Sequence, residues 1–315
     1  MNRTSEAATE AAAAWLLQHA TPINALDPQA GLDDLRPLAD AVADAEIVAL
    51  GVGSRATHEL SVVQHRMLRL LVEERGFRSL ALEGDDPARL GLDAYVLTGA
   101  GDPEALLSEA RPFLRTEEIL DVLRWMRAHN ERNPHDPVQL AALDSQSPPY
   151  GGGLAENERA IADDIIRWHE HTRQKTVYWG GLAHTAVSAP RTVSSPGPQT
   201  HRNAGGHLRE HFGTGYASIG LTFHHGTDYP VPPADFAEAV LGATELSAYF
   251  LDLRAERPAS VNAWLGAPVK TRLVGPFYDA REDADHHLSG DSLAEWFDGV
   301  AHVRDVTPAR PLGRS

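Results

Sequence analysis

The chain has 315 residues, 42% of them hydrophobic, and 28 Lys and Arg against 44 Asp and Glu give a formal charge of −16. That length and apolar share suffice for a sizeable core, while the negative field repels a phosphate backbone and argues against nucleic-acid binding. The absence of Cys excludes disulfides, thiolate metal sites and a cysteine nucleophile together.

The first segment, "MNRTSEAATEAAAAWLLQHA", is Ala-rich and helical, and its Trp15, Leu16 and Leu17 are expected to dock on the body. It lacks the basic flank and apolar core of a signal peptide. No run approaches the roughly 18 apolar residues of a membrane span, so a cytoplasmic protein without membrane contact is expected. An amphipathic helix then precedes the apolar run 47–50, read as a buried strand. The turn after it, "GVGSRATHE", offers Arg55, His58 and Glu59 but no nucleophile. A helix is predicted over 57–74, with Thr57 as N-cap, Leu60, Val63, Met67, Leu70 and Leu71 on its apolar face, and Gly76 just past its end. Residues 79–82 form the next strand, with Glu83 at its carboxyl end.

Residues 86–132 read as helical, broken at 99–103 and near Pro112 and reopened by a Thr116 cap with an acidic first turn. This is a helical insertion at about 86–135. "VQLAALDSQ" is a third buried strand ending in Asp144 and Gln146, followed by an irregular loop, "PPYGGG". A helix over 157–172 leads to a fourth strand in "TVYWGGLAHT". The next stretch, "SAPRTVSSPGPQTHRNAGG", is too polar to pack and is expected to be a mobile flap near the site. "YASIGLTFHHG", "SAYFLDLR" and "VAHVRDV" supply further strands. Strands alternating with helices predict an α/β fold, a mostly parallel central sheet flanked by helices, with residues 1–315 as one domain carrying the insertion.

In such a sheet, side chains at the carboxyl ends of strands converge on one edge. Glu83 stands where burial raises a carboxyl pKa and suits it to acid or base work, and where a buried ion pair would serve as well. Arg55 and Glu59 are four residues apart, the spacing of a helical salt bridge. His184 lies in "WGGLAHT", whose glycines allow close backbone approach; a proton shuttle and a hydrogen-bonded core histidine are comparable readings. His224 and His225 are consecutive in a strand, so at most one enters the site. The catalytic candidates are therefore Glu83, His184, Glu59 and Arg55, and the substrate-contact candidates are His58, Asp144, Gln146, Trp179, Arg191 and His224. His58 and His65, two helical turns apart, form a thin ligand set, and neither a metal nor another cofactor is expected. There is no Walker motif, no G-x-S-x-G elbow, and "GVGSRA" fails the dinucleotide fingerprint at its last glycine.

In order and spacing, "LGVGSRATHELSVVQHRMLRLLVEERGFRSLALEGD", "TEEILDVLRWMRAHN", "LAALDSQ", "ENERAIADDIIRW", "YWGGLAHT", "YASIGLTF" and "FDGVAHVRDVTPARPL" resemble the erythromycin esterase family, also called succinoglycan-biosynthesis-like proteins. The resemblance implies an α/β fold with a helical insertion and a deep cleft, in which a His assisted by carboxylates activates water to open a macrolide lactone. On this resemblance Glu83 matches the acidic residue after the second strand, Glu59 the helix glutamate, and His184 the second His of a Trp-x-x-Asn-x-His-like segment. The departures are equally specific. The usual Gly-Glu-x-x-His of the first motif has Val52 at its Glu and Arg55 at its His, the earlier His of the later segment is Gly181, Leu182 stands where Asn is common, and the helix Arg is Gln64. A permanent cation cannot accept the proton of water. Three readings follow: non-hydrolytic acid–base chemistry (cyclisation, elimination or rearrangement) on a small molecule of the polyketide or related secondary-metabolite kind; a metal-independent hydrolase opening an ester or lactone with His58 as base; and a catalytically inactive small-molecule-binding protein.

Overall fold

The apolar run at 47–52 shows no alternation, and every residue in it is buried, as a strand covered on both faces requires. The computed structural model describes residues 3–146, 153–187, 191–195 and 197–313. In chain order their strands are β1 (Thr21–Pro22), β2 (Ile47–Val52), β3 (Phe77–Leu82), β4 (Gln139–Leu140), β5 (Lys175–Gly181), β6 (Arg191–Val193), β7 (Gln199–His201), β8 (Tyr216–Gly226), β9 (Ala248–Asp252), β10 (Thr271–Arg272), β11 (His287–Ser289) and β12 (Gly299–Val306). The central sheet runs β1-β9-β12-β8-β2-β5-β3-β4. From β12 through β4 every pairing is parallel, while β9 is antiparallel to both β12 and β1. The fold is thus α/β with a largely parallel sheet. Because β5 lies between β2 and β3, the loops leaving these three strands open side by side at one edge.

Helices α1 (Arg3–His19), α2 (Arg36–Ala41) and α3 (His58–Arg75) precede β3. Gly76 ends α3 in the left-handed conformation at φ 73°. The predicted apolar face of α3 is fully buried, and so are Gln64, His65 and Arg66, because α3 is enclosed on more than its sheet side. Arg66 is tolerated there through ion-pair contact with Asp34 at 2.7 Å and a bond to the Ala25 carbonyl at 2.6 Å. The insertion comprises α4 (Pro87–Leu90), α5 (Leu92–Thr98), α6 (Pro103–Ser108) and α7 (Glu117–Arg132), with α7 packed on α3. The Thr116 cap is present, its hydroxyl accepting from the Ile119 amide at 3.3 Å.

Several expectations are corrected. Thr57 occupies the N-cap position of α3, yet its hydroxyl donates to the Ser54 carbonyl at 3.2 Å, so the cap is conformational only. Trp15 and Leu16 are buried, whereas Leu17 points to solvent at 62% exposure, a consequence of helical rather than continuous burial. The third strand is the two-residue edge strand β4, and Asp144–Gln146 forms a 3-10 turn. All of "PPYGGG" but Gly153 lies outside the described residues. The helix α8 (Leu154–Thr172) begins three positions earlier than predicted. β5 is followed directly by the short helix α9 (Leu182–Thr185), and α10 (Ala204–Phe212) packs against α8 and α9. The stretch read as too polar to pack supplies β6 and β7, which with β11 and β10 build a second, antiparallel sheet. Arg191 and Asn203 of that stretch are buried because each finds charge or carbonyl partners inside.

Candidate active site at the carboxyl ends of three strands

Glu83 is the first residue after β3 and only 4% of its side chain is exposed. Its Oε1 accepts from Arg55 Nη2 on the turn after β2, and lies 3.3 Å from His184 Nε2 on α9. Its Oε2 accepts from the Tyr178 hydroxyl of β5 at 2.9 Å. The opposite ring nitrogen of His184, Nδ1, is 2.9 Å from Oε1 of Glu158 on α8. Glu158 is itself fully enclosed, with Arg191 Nη2 donating to Oε1 at 2.8 Å and the Ala204 amide to Oε2 at 2.8 Å. A continuous chain therefore runs Arg55, Glu83, His184, Glu158, Arg191, gathered from two loops, two helices and the second sheet.

The glycines of "WGG" make this crowding possible. A Cβ at Gly180 would overlap Glu83 Oε2 and stand 3.1 Å from Tyr178 Cε2, and one at Gly181 would stand 3.0 Å from Arg55 Nη2. Gly180→Ala is expected to displace the Glu83 carboxylate and cost about 1–3 kcal/mol of stability. Denaturant unfolding checks this, and an unchanged midpoint would mean that Glu83 yields its place freely.

Both nitrogens of His184 face carboxylate oxygens, an arrangement that favours the doubly protonated imidazolium. Burial opposes that charge, but Glu158 and then Glu83 outweigh it and hold the His184 pKa above its ordinary 6.5. Burial would likewise raise Glu83, yet Arg55 and then His184 hold its carboxyl below the usual value. Burial and then the Glu83 charge push Tyr178 well above its ordinary range, leaving a neutral hydroxyl donor. Beside Arg55 and Glu83 is a narrow pocket of about 20 Å³, walled by Val52, Phe113, Leu114, Ile119 and Trp179 and carrying Ser61, Gln64 and Thr116. The Arg55 guanidinium packs 4.6 Å from the Phe113 ring centre, and the pocket as a whole has room for little more than a water.

The sequence pattern of the erythromycin esterase family matches residues 72–157 and 150–306. The chain belongs to the erythromycin esterase family. Among curated proteins it is 24% identical over 149 residues to an erythromycin esterase type II of Escherichia coli, covering 47% of this chain and 35% of that one. It is 28% identical over 151 residues to the putative hydrolase YbfO of Bacillus subtilis, covering 48% and 32%. The matched stretches thus span about a third of the length of these relatives. Solved structures show the same fold: a Bacillus cereus protein at TM-score 0.78 and 22% identity, covering 96% of this chain and 99% of that one; a succinoglycan biosynthesis protein at 0.78 and 18%, covering 98% and 99%; and a mutant of the erythromycin esterase EreC in its open conformation, at 0.69 and 14%, covering 94% and 99%.

In this family member, Glu83, His184 and Arg55 meet, Trp179 walls their pocket, and Arg191 reaches them through Glu158. The other candidates are placed elsewhere. The salt bridge expected between Arg55 and Glu59 does not form, because Arg55 precedes the start of α3. Glu59 instead accepts from the Thr307 amide at 2.6 Å and hydroxyl at 2.7 Å, fastening the chain after β12 to α3. His58 Nδ1 lies 2.6 Å from Glu118 Oε1 of α7 and does not wall the pocket. Asp144 is 74% exposed with Arg167 at 3.7 Å. Gln146 is buried and donates to Ser145 and Asn157, each at 3.4 Å. His224 pairs with His225, Nδ1 to Nδ1 at 3.0 Å. Among the described residues no group of three or more His, Cys, Asp or Glu is disposed to hold a metal ion, and no helix is long and apolar enough to cross a membrane.

Sequence reasoning missed Glu158 and Tyr178. Glu158 did leave a signal: it falls on the apolar stripe of α8 with Ile161, Ala162 and Ile165, where an unpaired carboxylate is costly.

Proposed function

We propose that this chain is an enzyme that performs non-hydrolytic acid–base chemistry on a small molecule, a cyclisation, elimination or rearrangement of a polyketide-like or related intermediate. His184 is the proton donor, Glu83 the acceptor, and Arg55 the cation that holds or stabilises negative charge on the ligand. The observation that carries this reading is the double carboxylate clamp on His184. It favours the protonated ring, which suits it to give a proton and unsuits it to draw one from water. Arg55, in the place where the family resemblance puts a histidine base, does not draw one either. The test is turnover in ¹⁸O-water. A product free of the label is expected, and a label incorporated at a cleaved ester or lactone would sink the non-hydrolytic reading.

The hydrolase reading is favoured by the names of the two curated relatives and by the pair His58–Glu118, a partly exposed imidazole oriented by a buried carboxylate. It requires that chromogenic esters or lactones be cleaved and that His58→Ala abolish the cleavage. On the reading proposed, the wild-type protein cleaves neither above background.

A further inference from the structure

The charges around the pocket do not cancel. Arg55, Arg191 and a protonated His184 face only Glu83 and Glu158, and His201, whose Nε2 lies 2.9 Å from Arg191 Nη1, brings no negative charge. One positive charge is left over. Its accessible seat is Arg55, whose side chain is 25% exposed, whereas Arg191 is buried to 1%. Arg55 spends one nitrogen, Nη2, on Glu83, and no partner is seen for its Nε or Nη1 among the described residues. The Nε–Nη2 edge faces Gly181, where a Cβ would stand 3.3 Å from Nε and 3.0 Å from Nη2, and Nη1 is turned away from it. The fork open to a planar oxyanion is therefore the Nη1–Nη2 end, which includes the nitrogen that Glu83 holds.

The remaining walls, Val52, Phe113, Leu114, Ile119 and Trp179, are apolar. A dianion would exceed the single spare charge, and because the pocket has room for little more than a water, a ligand enters only if the guanidinium moves off Phe113.

We propose that the pocket takes a monocarboxylate with a compact apolar body, and that this carboxylate, seating on the Nη1–Nη2 end of Arg55, draws the guanidinium off Glu83 and frees Glu83 to accept a proton. The proposal rests on the acid–base reading above and adds to it the ligand class and the trigger. The groups facing Glu83 are Arg55 from the turn after β2, Tyr178 from β5, His184 from α9 and, beyond it, Glu158 from α8. Loss of the Arg55 contact removes the strongest opposite charge, and the arriving carboxylate adds a like one; both changes disfavour the ionised form of Glu83. The base is thus held in check until a ligand of the right charge is present.

The experiment follows the carboxyl carbon of Glu83 by NMR in ¹³C-glutamate-labelled protein, the resonance assigned by its loss in Glu83→Gln, as pH is varied with and without butyrate. Saturable binding of butyrate is expected, with butyramide and inorganic phosphate each weaker by about tenfold or more, and a rise of about one pH unit or more in the Glu83 midpoint when butyrate is bound. In Arg55→Lys, which keeps the charge and loses the fork, butyrate should bind about tenfold more weakly. Absence of butyrate binding, equal binding of phosphate or butyramide, or an unmoved Glu83 midpoint in the wild-type protein would each overturn the proposal. None of these readings needs turnover, so binding with the shift but no reaction would count against the catalytic assignment and leave the binding proposal standing.

Discussion

His184→Ala is expected to lower turnover by about 10²- to 10⁴-fold, the range over which a positioned proton-transfer group acts, and Glu83→Gln to do the same. The two act at one reacting centre, since His184 Nε2 and Glu83 Oε1 are 3.3 Å apart, so the double variant should be little worse than either single one. The pH profile carries the sign. Because His184 must be protonated to donate, and its pKa is raised above 6.5, activity should fall as pH rises through that raised value. Steady-state rates of folded variants across pH decide it; full activity in either single variant removes that residue from the mechanism.

Glu158→Ala is expected to give the largest stability loss, about 3–5 kcal/mol, because it leaves the buried Arg191 without a carboxylate partner and His184 Nδ1 without its acceptor. Urea unfolding measures this. The accompanying pH dependence has two limbs. The Glu158 carboxyl lies far below its ordinary 4.5: burial opposes the shift, and His184, His201 and Arg191 overcome it, so its stabilisation is present above about 4.5 and lost as pH falls toward the folded value. His184 is raised, so its share is present below 6.5 and lost as pH rises through its folded value. The wild-type margin over Glu158→Ala should therefore be greatest between those two ordinary values. Glu158→Gln keeps the shape and removes the charge, and should draw the falling limb of the activity profile to lower pH, which a merely structural residue would not do. An unshifted limb in that variant would mean that Glu158 does not set the protonation of His184.

The placement of Glu83, Arg55 and His184 was legible because each follows an apolar run read directly as a strand, and parallel strands bring their carboxyl ends to one edge whatever lies between them. The misplacement of Glu59 has an equally plain cause: spacing along a helix says nothing about a residue that precedes the helix, and Thr307 arrives from 248 positions away. Arg191 illustrates the opposite error. Its polar, Pro-rich surroundings read as a flap, yet a buried carboxylate in α8 gives its guanidinium a reason to be inside.

By itself, then, the sequence determined the family, the α/β architecture, the helical insertion and the strand-end position of the polar cluster, because these follow from local apolar pattern and from residues in register. The tertiary structure alone decided which charges neutralise which. That choice depends on side chains brought together from β3, α8, α9, the turn after β2 and the second sheet, and on the two glycines whose missing side chains let a carboxylate and a guanidinium occupy the same few ångströms.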